Sequence, residues 1–153
     1  MPKTRKWLAP LAVIASMLCV ALLSAPAHAA NDFQYANSVT QLCLQEDGTT
    51  SAVYDGSCSS NSSDYWYQNS DGNLVNAHSH YCLAVTGTDE GVYANSSCGS
   101  NHAEGWEMED DGFEIVNEHT GWCLFQEPGS ANAVGQHNCN DGGNELWIQT
   151  SGA

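Results

Sequence analysis

Beyond residue 30 the sequence contains no lysine and no arginine. All 18 aspartates and glutamates lie in that part of the chain, whereas the three basic residues are Lys3, Arg5 and Lys6. The whole chain has a formal charge of −15, and removing the three positive charges leaves −18 for the remainder. A charge of this size repels phosphate backbones, sulfated or sialylated glycans and anionic membranes. The missing basic residues therefore exclude nucleic acids and membranes as partners.

A long apolar run is also missing after the first 30 residues. Residues 1–29 have the three parts of a cleaved secretory signal: a basic start, an apolar stretch from Leu11 to Leu23, and small residues at Ala27 and Ala29. The apolar stretch is short for a membrane span, and no second stretch follows it. We therefore expect residues 1–29 to be removed and the protein to be secreted and extracellular.

Six cysteines remain after the signal, and a secreted chain is expected to join them as disulfides. An internal repeat selects among the possible pairings. In each repeat an Asn precedes the first Cys by six residues, the two cysteines lie 15 or 16 residues apart, and a Trp follows the second Cys by eight. The three sets are Asn37, Cys43, Cys58 and Trp66; Asn76, Cys82, Cys98 and Trp106; and Asn117, Cys123, Cys139 and Trp147.

Each repeat contains two cysteines at equivalent positions, which predicts the disulfides Cys43–Cys58, Cys82–Cys98 and Cys123–Cys139. Closing a loop of about 15 residues stabilises a fold by about 3 kcal/mol in the chain-entropy model. The repeats span approximately residues 33–70, 71–110 and 111–153. Because a unit of this size cannot bury a core alone, we expect one domain over residues 30–153.

Long helical periodicity is missing as well, and Gly, Ser, Asn and Asp crowd the intervals between apolar residues. Short strand candidates occur at residues 33–35, 73–75 and 113–116. The dipeptides Asp71-Gly72 and Asp111-Gly112 precede the second and third candidates, as hairpin turns would. Three equal β units that close on each other predict an all-β barrel with pseudo-threefold symmetry.

The repeated Cys-Leu, second Cys and following Trp resemble the ricin-type β-trefoil lectin family, also called carbohydrate-binding module family 13. The resemblance covers essentially all of residues 30–153 and implies a β-trefoil of three repeats of about 40 residues. An acid replaces the Gln of the family's Gln-x-Trp tripeptide in every repeat, at Asp64, Glu104 and Glu145. The resemblance places Trp66, Trp106 and Trp147 in the core.

A neutral sugar is bound by an aromatic face against its C–H groups and by polar groups that hydrogen-bond its hydroxyls. Where the family typically has an Asp, two residues after the first Cys, this chain has Gln45, Ala84 and Phe125. Other positions keep the pattern. The sugar-contacting residues that the resemblance implies are Asp47, Tyr54, Tyr93, His137, Asn144 and Glu145, with Asp89 as an acid of the second repeat. Tyr54 and Tyr93 are equally compatible with half-buried strand residues, and His137 with a surface histidine.

Motifs of enzymes are missing too. The chain has no Gly-x-Ser-x-Gly, no His-Glu-x-x-His and no glycine-rich phosphate loop. Disulfide formation leaves no thiol nucleophile after the signal. The sequence His78-Ser79-His80 would place two imidazoles on one face of a strand, but no third ligand accompanies them. We expect no catalytic activity, no cofactor and no metal site.

Two functions of different class are compatible with these features. The first is a secreted, monomeric lectin that binds neutral glycans or polysaccharides through shallow sites in its repeats. The second is a trefoil that has lost sugar binding and acts as a protein-interaction module or protease inhibitor. An inhibitor of trypsin would need a Lys or Arg on its presenting loop, and the mature chain has none. The three missing Asp residues favour the second function, and the resemblance favours the first.

Overall fold

The computed structural model describes residues 31–87, 91–99, 103–109, 113–127, 133–140 and 142–151. The described residues form twelve strands. They are β1 (Phe33–Asn37), β2 (Leu42–Glu46), β3 (Val53–Ser57), β4 (Trp66–Gln68), β5 (Leu74–Asn76), β6 (Cys82–Val85), β7 (Val92–Asn95), β8 (Trp106–Glu109), β9 (Glu114–Asn117), β10 (Trp122–Gln126), β11 (Val134–Asn138) and β12 (Trp147–Ser151). Short 3-10 helices, Ser62–Asp64 and Gly143–Glu145, precede β4 and β12. Residues 1–29, Asp89 and the Asp111-Gly112 turn lie outside the described residues.

The three strand candidates of the sequence correspond to β1, β5 and β9. Each begins a set of four strands, and in each set the second and third strands form an antiparallel hairpin. The first and last strands of the chain, β1 and β12, pair antiparallel along their whole length. In the second set, an isolated bridge pairs Asn73, just before β5, with Gly105, just before β8. In the third set, another pairs Glu114 of β9 with Leu146, just before β12. The three hairpins also contact one another through β3, β7 and β11. The prediction of an all-β trefoil with pseudo-threefold symmetry is confirmed.

The tryptophans eight residues after each second cysteine lie at the centre of the core. Trp66, Trp106 and Trp147 are fully buried. Each indole N–H donates to the carbonyl of the Leu that follows the first Cys of its repeat, at 2.9–3.0 Å. The indole nitrogen is thus hydrogen-bonded inside the core, while burial of a large apolar side chain contributes about 1.5–3 kcal/mol. Tyr35 lies in the same core, and burial raises its pKa to about 12.

Three disulfides fasten the hairpins. Cys43–Cys58, Cys82–Cys98 and Cys123–Cys139 have Cα–Cα distances of 5.0, 5.4 and 5.1 Å. These are the pairs that the internal repeat predicts. Each joins the beginning of a hairpin to the segment that follows it, so the loop after the hairpin is held against the barrel.

A fully buried asparagine connects each repeat with the preceding repeat in the ring, so that the first repeat is connected with the third. The side-chain oxygen of Asn76 accepts the N–H groups of His78 and Ser79, at 2.9 and 3.2 Å. Its amide nitrogen donates to the carbonyl of Ser63, at 2.9 Å. Asn37 and Asn117 make the same contacts in the other repeats. This is the Asn that recurs six residues before each first cysteine, and its role is to fix the turn that follows the strand.

Candidate functional site

An open cavity of about 460 Å³ lies between the first hairpin and the neighbouring turn of the second repeat. Its walls come from the end of β2, from β3, from the 3-10 segment and from the turn after β5. The lining residues are Glu46, Asp47, Tyr54, Ser60, Asn61, Ser62, Ser63 and His78. Asp47 and Tyr54 are among the sugar-contacting residues proposed from the sequence, and the fold brings these two together.

Tyr54 supplies the aromatic wall. It lies on β3 opposite Gln45 of β2 and is partly exposed. Burial raises the pKa of Tyr54, and the negative charges of Asp47, Asp64 and Glu46 raise it further. The phenol therefore stays protonated at neutral pH, so that its hydroxyl can donate a hydrogen bond while its ring face remains apolar.

Asp47 supplies the carboxylate. Its Oδ1 accepts the N–H groups of Thr49 and Thr50, at 2.9 and 2.7 Å, and its Oδ2 accepts the hydroxyl of Thr50. The Thr50 hydroxyl, followed by these N–H groups, lowers the pKa of Asp47. A carboxylate offers about four acceptor sites, so the ionised side chain retains capacity for a ligand hydroxyl. Its loop holds it in place beforehand, which reduces the entropic cost of binding.

His78 is a cavity residue that the sequence analysis did not identify as a sugar contact. The prediction that His78 and His80 share one face of a strand is wrong, because both residues follow the end of β5 at Asn76 and precede β6. Nδ1 of His78 lies 3.1 Å from the Ser62 hydroxyl. Its ring packs over Gly48, where a Cβ atom would come within 2.9 Å of His78 Cδ2. Gly48 also has a φ of +71°, so a glycine fits both the backbone and the contact.

The second repeat has alanine at two of the corresponding positions. Tyr93 lies on β7 opposite Ala84, as Tyr54 lies opposite Gln45. Ala103 takes the place of Ser63 at five residues after the second cysteine. Tyr93 is therefore a partly exposed aromatic side chain with small apolar residues at both of these positions.

In the third repeat the strand register separates His137 from the two tyrosines. His137 lies opposite Cys123, so its counterparts are Gly56 and Asn95, which lie opposite Cys43 and Cys82. Gly135 takes the position of Tyr54, opposite Phe125. The His137 ring instead packs edge-on against Phe125, with ring centroids 4.2 Å apart.

Glu145 belongs to a set of buried acids that hold the loop after each second cysteine. Its Oε2 accepts the N–H of Asn140, and its Oε1 lies 2.9 Å from His137 Nε2. Glu145 is 1% exposed. The proposed sugar contact of Glu145 is therefore corrected, because the carboxylate of Glu145 faces the loop and not the solvent. Asp64 and Glu104 accept the equivalent N–H groups of Ser59 and Gly99. The acids that replace the family's Gln thus keep a structural role.

Asn144 lies in the 3-10 helix Gly143–Glu145 and is partly exposed. Its backbone carbonyl accepts the amide of Asn37 at 2.9 Å, as the carbonyl of Ser63 accepts that of Asn76. Asn144 therefore has in the third repeat the position that Ser63 has in the first, and it lies away from the Tyr54 cavity.

In the part of the chain that the structure describes, one group of three potential metal ligands lies within 4.8 Å: Glu114, Cys123 and Cys139. The two cysteines form a disulfide, so they offer no thiolate. Within the described ranges no helix has the length and apolar character needed to cross a membrane.

The model of the ricin-type β-trefoil lectin domain matches residues 32–147. ThreeFoil, a designed 3-fold symmetric protein, is 25% identical with a TM-score of 0.69, over 79% of this chain and 99% of that one. The hemolytic lectin CEL-III is 23% identical with a TM-score of 0.65, over 76% of this chain and 29% of that one. The C-half of an earthworm R-type lectin, solved in complex with GalNAc, is 13% identical with a TM-score of 0.67, over 79% of this chain and 98% of that one.

The chain thus spans less than a third of CEL-III and nearly all of the other two structures. No curated protein matches the sequence. The family model matches most of the chain. The trefoil fold and its three buried tryptophans agree with this match. The chain belongs to the ricin-type β-trefoil lectin domain family.

Proposed function

We propose that the protein is a secreted carbohydrate-binding domain whose principal site is the cavity of the first repeat, and that this site takes a neutral sugar. The observation that supports this most directly is the convergence of Tyr54, Asp47 and His78 on one open cavity. An aromatic face beside a fixed carboxylate is the combination that sugar recognition needs. The family supplies the same expectation, since its name describes lectins.

The size and chemistry of the cavity fit a monosaccharide unit of a glycan. A volume of about 460 Å³ lies within the range of small-molecule sites. Ser62 and Ser63 offer hydroxyls that can donate or accept, and His78 offers a ring nitrogen. The formal charge of −18 beyond residue 30, which follows from −15 for the chain with its three basic residues, favours an uncharged ligand over sulfated or sialylated ones.

The other repeats are proposed as weaker sites. Tyr93 offers an aromatic face between Ala84 and Ala103, and Asn144 offers an amide in the third repeat. His137 acts there by holding Glu145 and the loop after β11. Several weak sites on one domain become effective on a polymeric glycan, because binding at one site raises the effective concentration at the next.

The proposal includes secretion and a monomeric state. The sequence of residues 1–29 has the composition of a cleaved signal. Three disulfides agree with an oxidising compartment outside the cytosol. We propose binding without catalysis, by a domain that works alone or beside a separate catalytic protein.

The test is a glycan-array screen of the secreted, oxidised protein, followed by calorimetric titration of the best neutral oligosaccharide. We expect Tyr54→Ala to weaken binding about tenfold or more, equivalent to about 1.4 kcal/mol. Asp47→Asn should weaken it further through the lost acceptor charge. Tyr67→Ala is the matched control, because Tyr67 is a partly buried tyrosine of β4 outside the cavity.

Equal weakening by Tyr54→Ala and Tyr67→Ala would show that the first-repeat cavity is not the site. An array without any binding, from protein with intact disulfides, would overturn the lectin function. It would leave the interaction module or inhibitor, which the residues Gln45, Ala84 and Phe125 at the family's usual Asp position favour.

A further inference from the structure

Two carboxylates lie on the buried face of the first hairpin. Glu46 of β2 is opposite Val53, and Asp55 of β3 is opposite Leu44, so both acids project to the same side of the hairpin as diagonal neighbours. Both side chains are fully buried, at 0% exposure. A buried ionised carboxylate is strongly unfavourable unless hydrogen bonds or an opposite charge compensate it.

Hydrogen bonds compensate these two acids only in part. Within the described part of the chain, both carboxylate oxygens of Glu46 lack a hydrogen-bond partner, and so does Oδ1 of Asp55. Oδ2 of Asp55 accepts the amide of Gln126 at 2.6 Å, which brings β10 of the third repeat to the same place. The Gln126 carbonyl oxygen is buried without a partner as well. Four oxygen acceptors on these three buried side chains are therefore without a hydrogen-bond partner.

Opposite charge is also missing beside these acids among the residues that the structure describes. The mature sequence has no lysine or arginine. Of the described histidines, His78, His80 and His119 are exposed, and His137 contacts Glu145. Burial raises the pKa of Asp55 above its ordinary value, as is expected of a carboxyl without a cation.

The acids are specific to the first repeat. The positions equivalent to Glu46 hold Val85 and Gln126, and the positions opposite the core leucines of the second and third repeats hold Ala94 and Gln136 where the first has Asp55. An apolar or neutral pair is thus sufficient for the trefoil at these positions. The trefoil fold alone therefore does not require two acids at these positions of the first repeat.

We propose that Glu46, Asp55 and Gln126 form a binding site for a calcium ion between the hairpins of the first and third repeats. Two carboxylates and an amide oxygen are the ligand types that Ca²⁺ prefers, and the ion's two charges balance those of the two acids. Glu46 also borders the first-repeat cavity, although its side chain is fully buried. The ion site is proposed separately from the sugar site, and Glu46 is the residue that borders both.

The sequence alone does not predict this metal site. Glu46 and Asp55 are separated by a loop, and Gln126 belongs to another repeat, so only the hairpin register and the packing of β3 against β10 bring them together. None of the three belongs to a motif that spacing alone would reveal.

The experiment is a calorimetric titration of the secreted protein with CaCl₂, after EDTA treatment and at moderate salt, together with thermal unfolding. We expect one ion per chain, and an unfolding midpoint raised by about 5–10 °C at a hundredfold excess over the dissociation constant. Glu46→Gln and Asp55→Asn each keep the side-chain shape and should abolish the stoichiometric binding and most of the shift. Glu107→Gln removes an exposed acid of β8 and should leave both unchanged.

Several results would overturn the site. One is that the wild-type protein binds no calcium ion at a ratio of one per chain. In that case we expect both variants to be more stable than the wild-type protein, because its two acids would share a proton instead of an ion. Another is calcium binding that survives in both Glu46→Gln and Asp55→Asn, which would show diffuse attraction by surface acids. Should either variant fail to fold, the other variant and the wild-type stoichiometry still decide between these outcomes.

Discussion

Replacing Asn76 with alanine removes the side chain that joins the first repeat to the turn carrying His78. Three hydrogen bonds are lost: from Asn76 to the Ser63 carbonyl at 2.9 Å, and from the N–H groups of His78 and Ser79 at 2.9 and 3.2 Å. Asn76 is fully buried, so water does not replace its amide without rearrangement. With about 1 kcal/mol for each lost bond, the free energy of unfolding should fall by about 2–4 kcal/mol.

The same replacement should weaken sugar binding, because Ser63 and His78 both line the cavity. Movement of two of its walls should raise the dissociation constant about tenfold. Asn117→Ala is the matched control. It loses the equivalent bonds to Ala103, His119 and Thr120, together with further bonds to the Gly105 carbonyl and the Thr120 hydroxyl, and leaves the first-repeat cavity intact.

Urea unfolding followed by tryptophan fluorescence measures the stability of both variants, and calorimetry measures their sugar affinity. We expect a loss of stability from Asn117→Ala at least as large as that from Asn76→Ala, and a loss of affinity from Asn76→Ala alone. A stability loss below about 0.5 kcal/mol would refute the reasoning from buried hydrogen bonds. Equal loss of affinity in the two variants would refute the placement of the sugar.

Two further predictions concern pH and a glycine. Burial raises the pKa of Asp55 above its ordinary range, so the folded state binds this proton more tightly than the unfolded state. The stabilisation is complete at low pH and is lost as pH rises through the folded pKa. In EDTA the wild-type protein should therefore lose stability relative to Asp55→Asn as the pH rises above about 4, and urea-unfolding midpoints that change in parallel for the two would contradict this. Gly48→Ala should destabilise by about 1–2 kcal/mol from backbone strain and further from the clash with the His78 ring, whereas Gly121→Ala, at φ +67° with open space around its Cβ, should show the strain alone. Thermal unfolding compares the two, and equal losses would show that the His78 contact adds nothing.

The fold was predictable because the repeat contains the physical units of a trefoil. A leucine beside the first cysteine and a tryptophan eight residues after the second meet in the core as a buried pair, with an indole N–H to carbonyl hydrogen bond. A spacing that recurs three times fixes three such pairs and the disulfides beside them.

The candidate site was less predictable because side-chain direction depends on strand register. Counting back from the second cysteine assigns His137 to nearly the same position in its repeat as Tyr54 and Tyr93 have in theirs. The pairing of β10 with β11 instead aligns His137 with Gly56 and Asn95. Asn95 donates to Glu104 as His137 contacts Glu145, so the shared function at this position is to hold a buried acid.

His78 was missed for a different reason. It belongs by sequence to the second repeat, and its contact with Ser62 crosses the boundary between repeats. The signal that could have found it is Asn76, whose recurrence before each first cysteine marks a turn fixed against the preceding repeat.

The pairing of β1 with β12 brings the beginning and the end of the described chain side by side, with Phe33 opposite Ser151. The ring of strands therefore has no structural first repeat. A circular permutant that joins the two ends with a short linker and opens the chain between the first and second repeats should close the same barrel, since loops at the surface tolerate such cuts. The order of the three repeats along the polypeptide is thus one of three equivalent ways of threading the same ring.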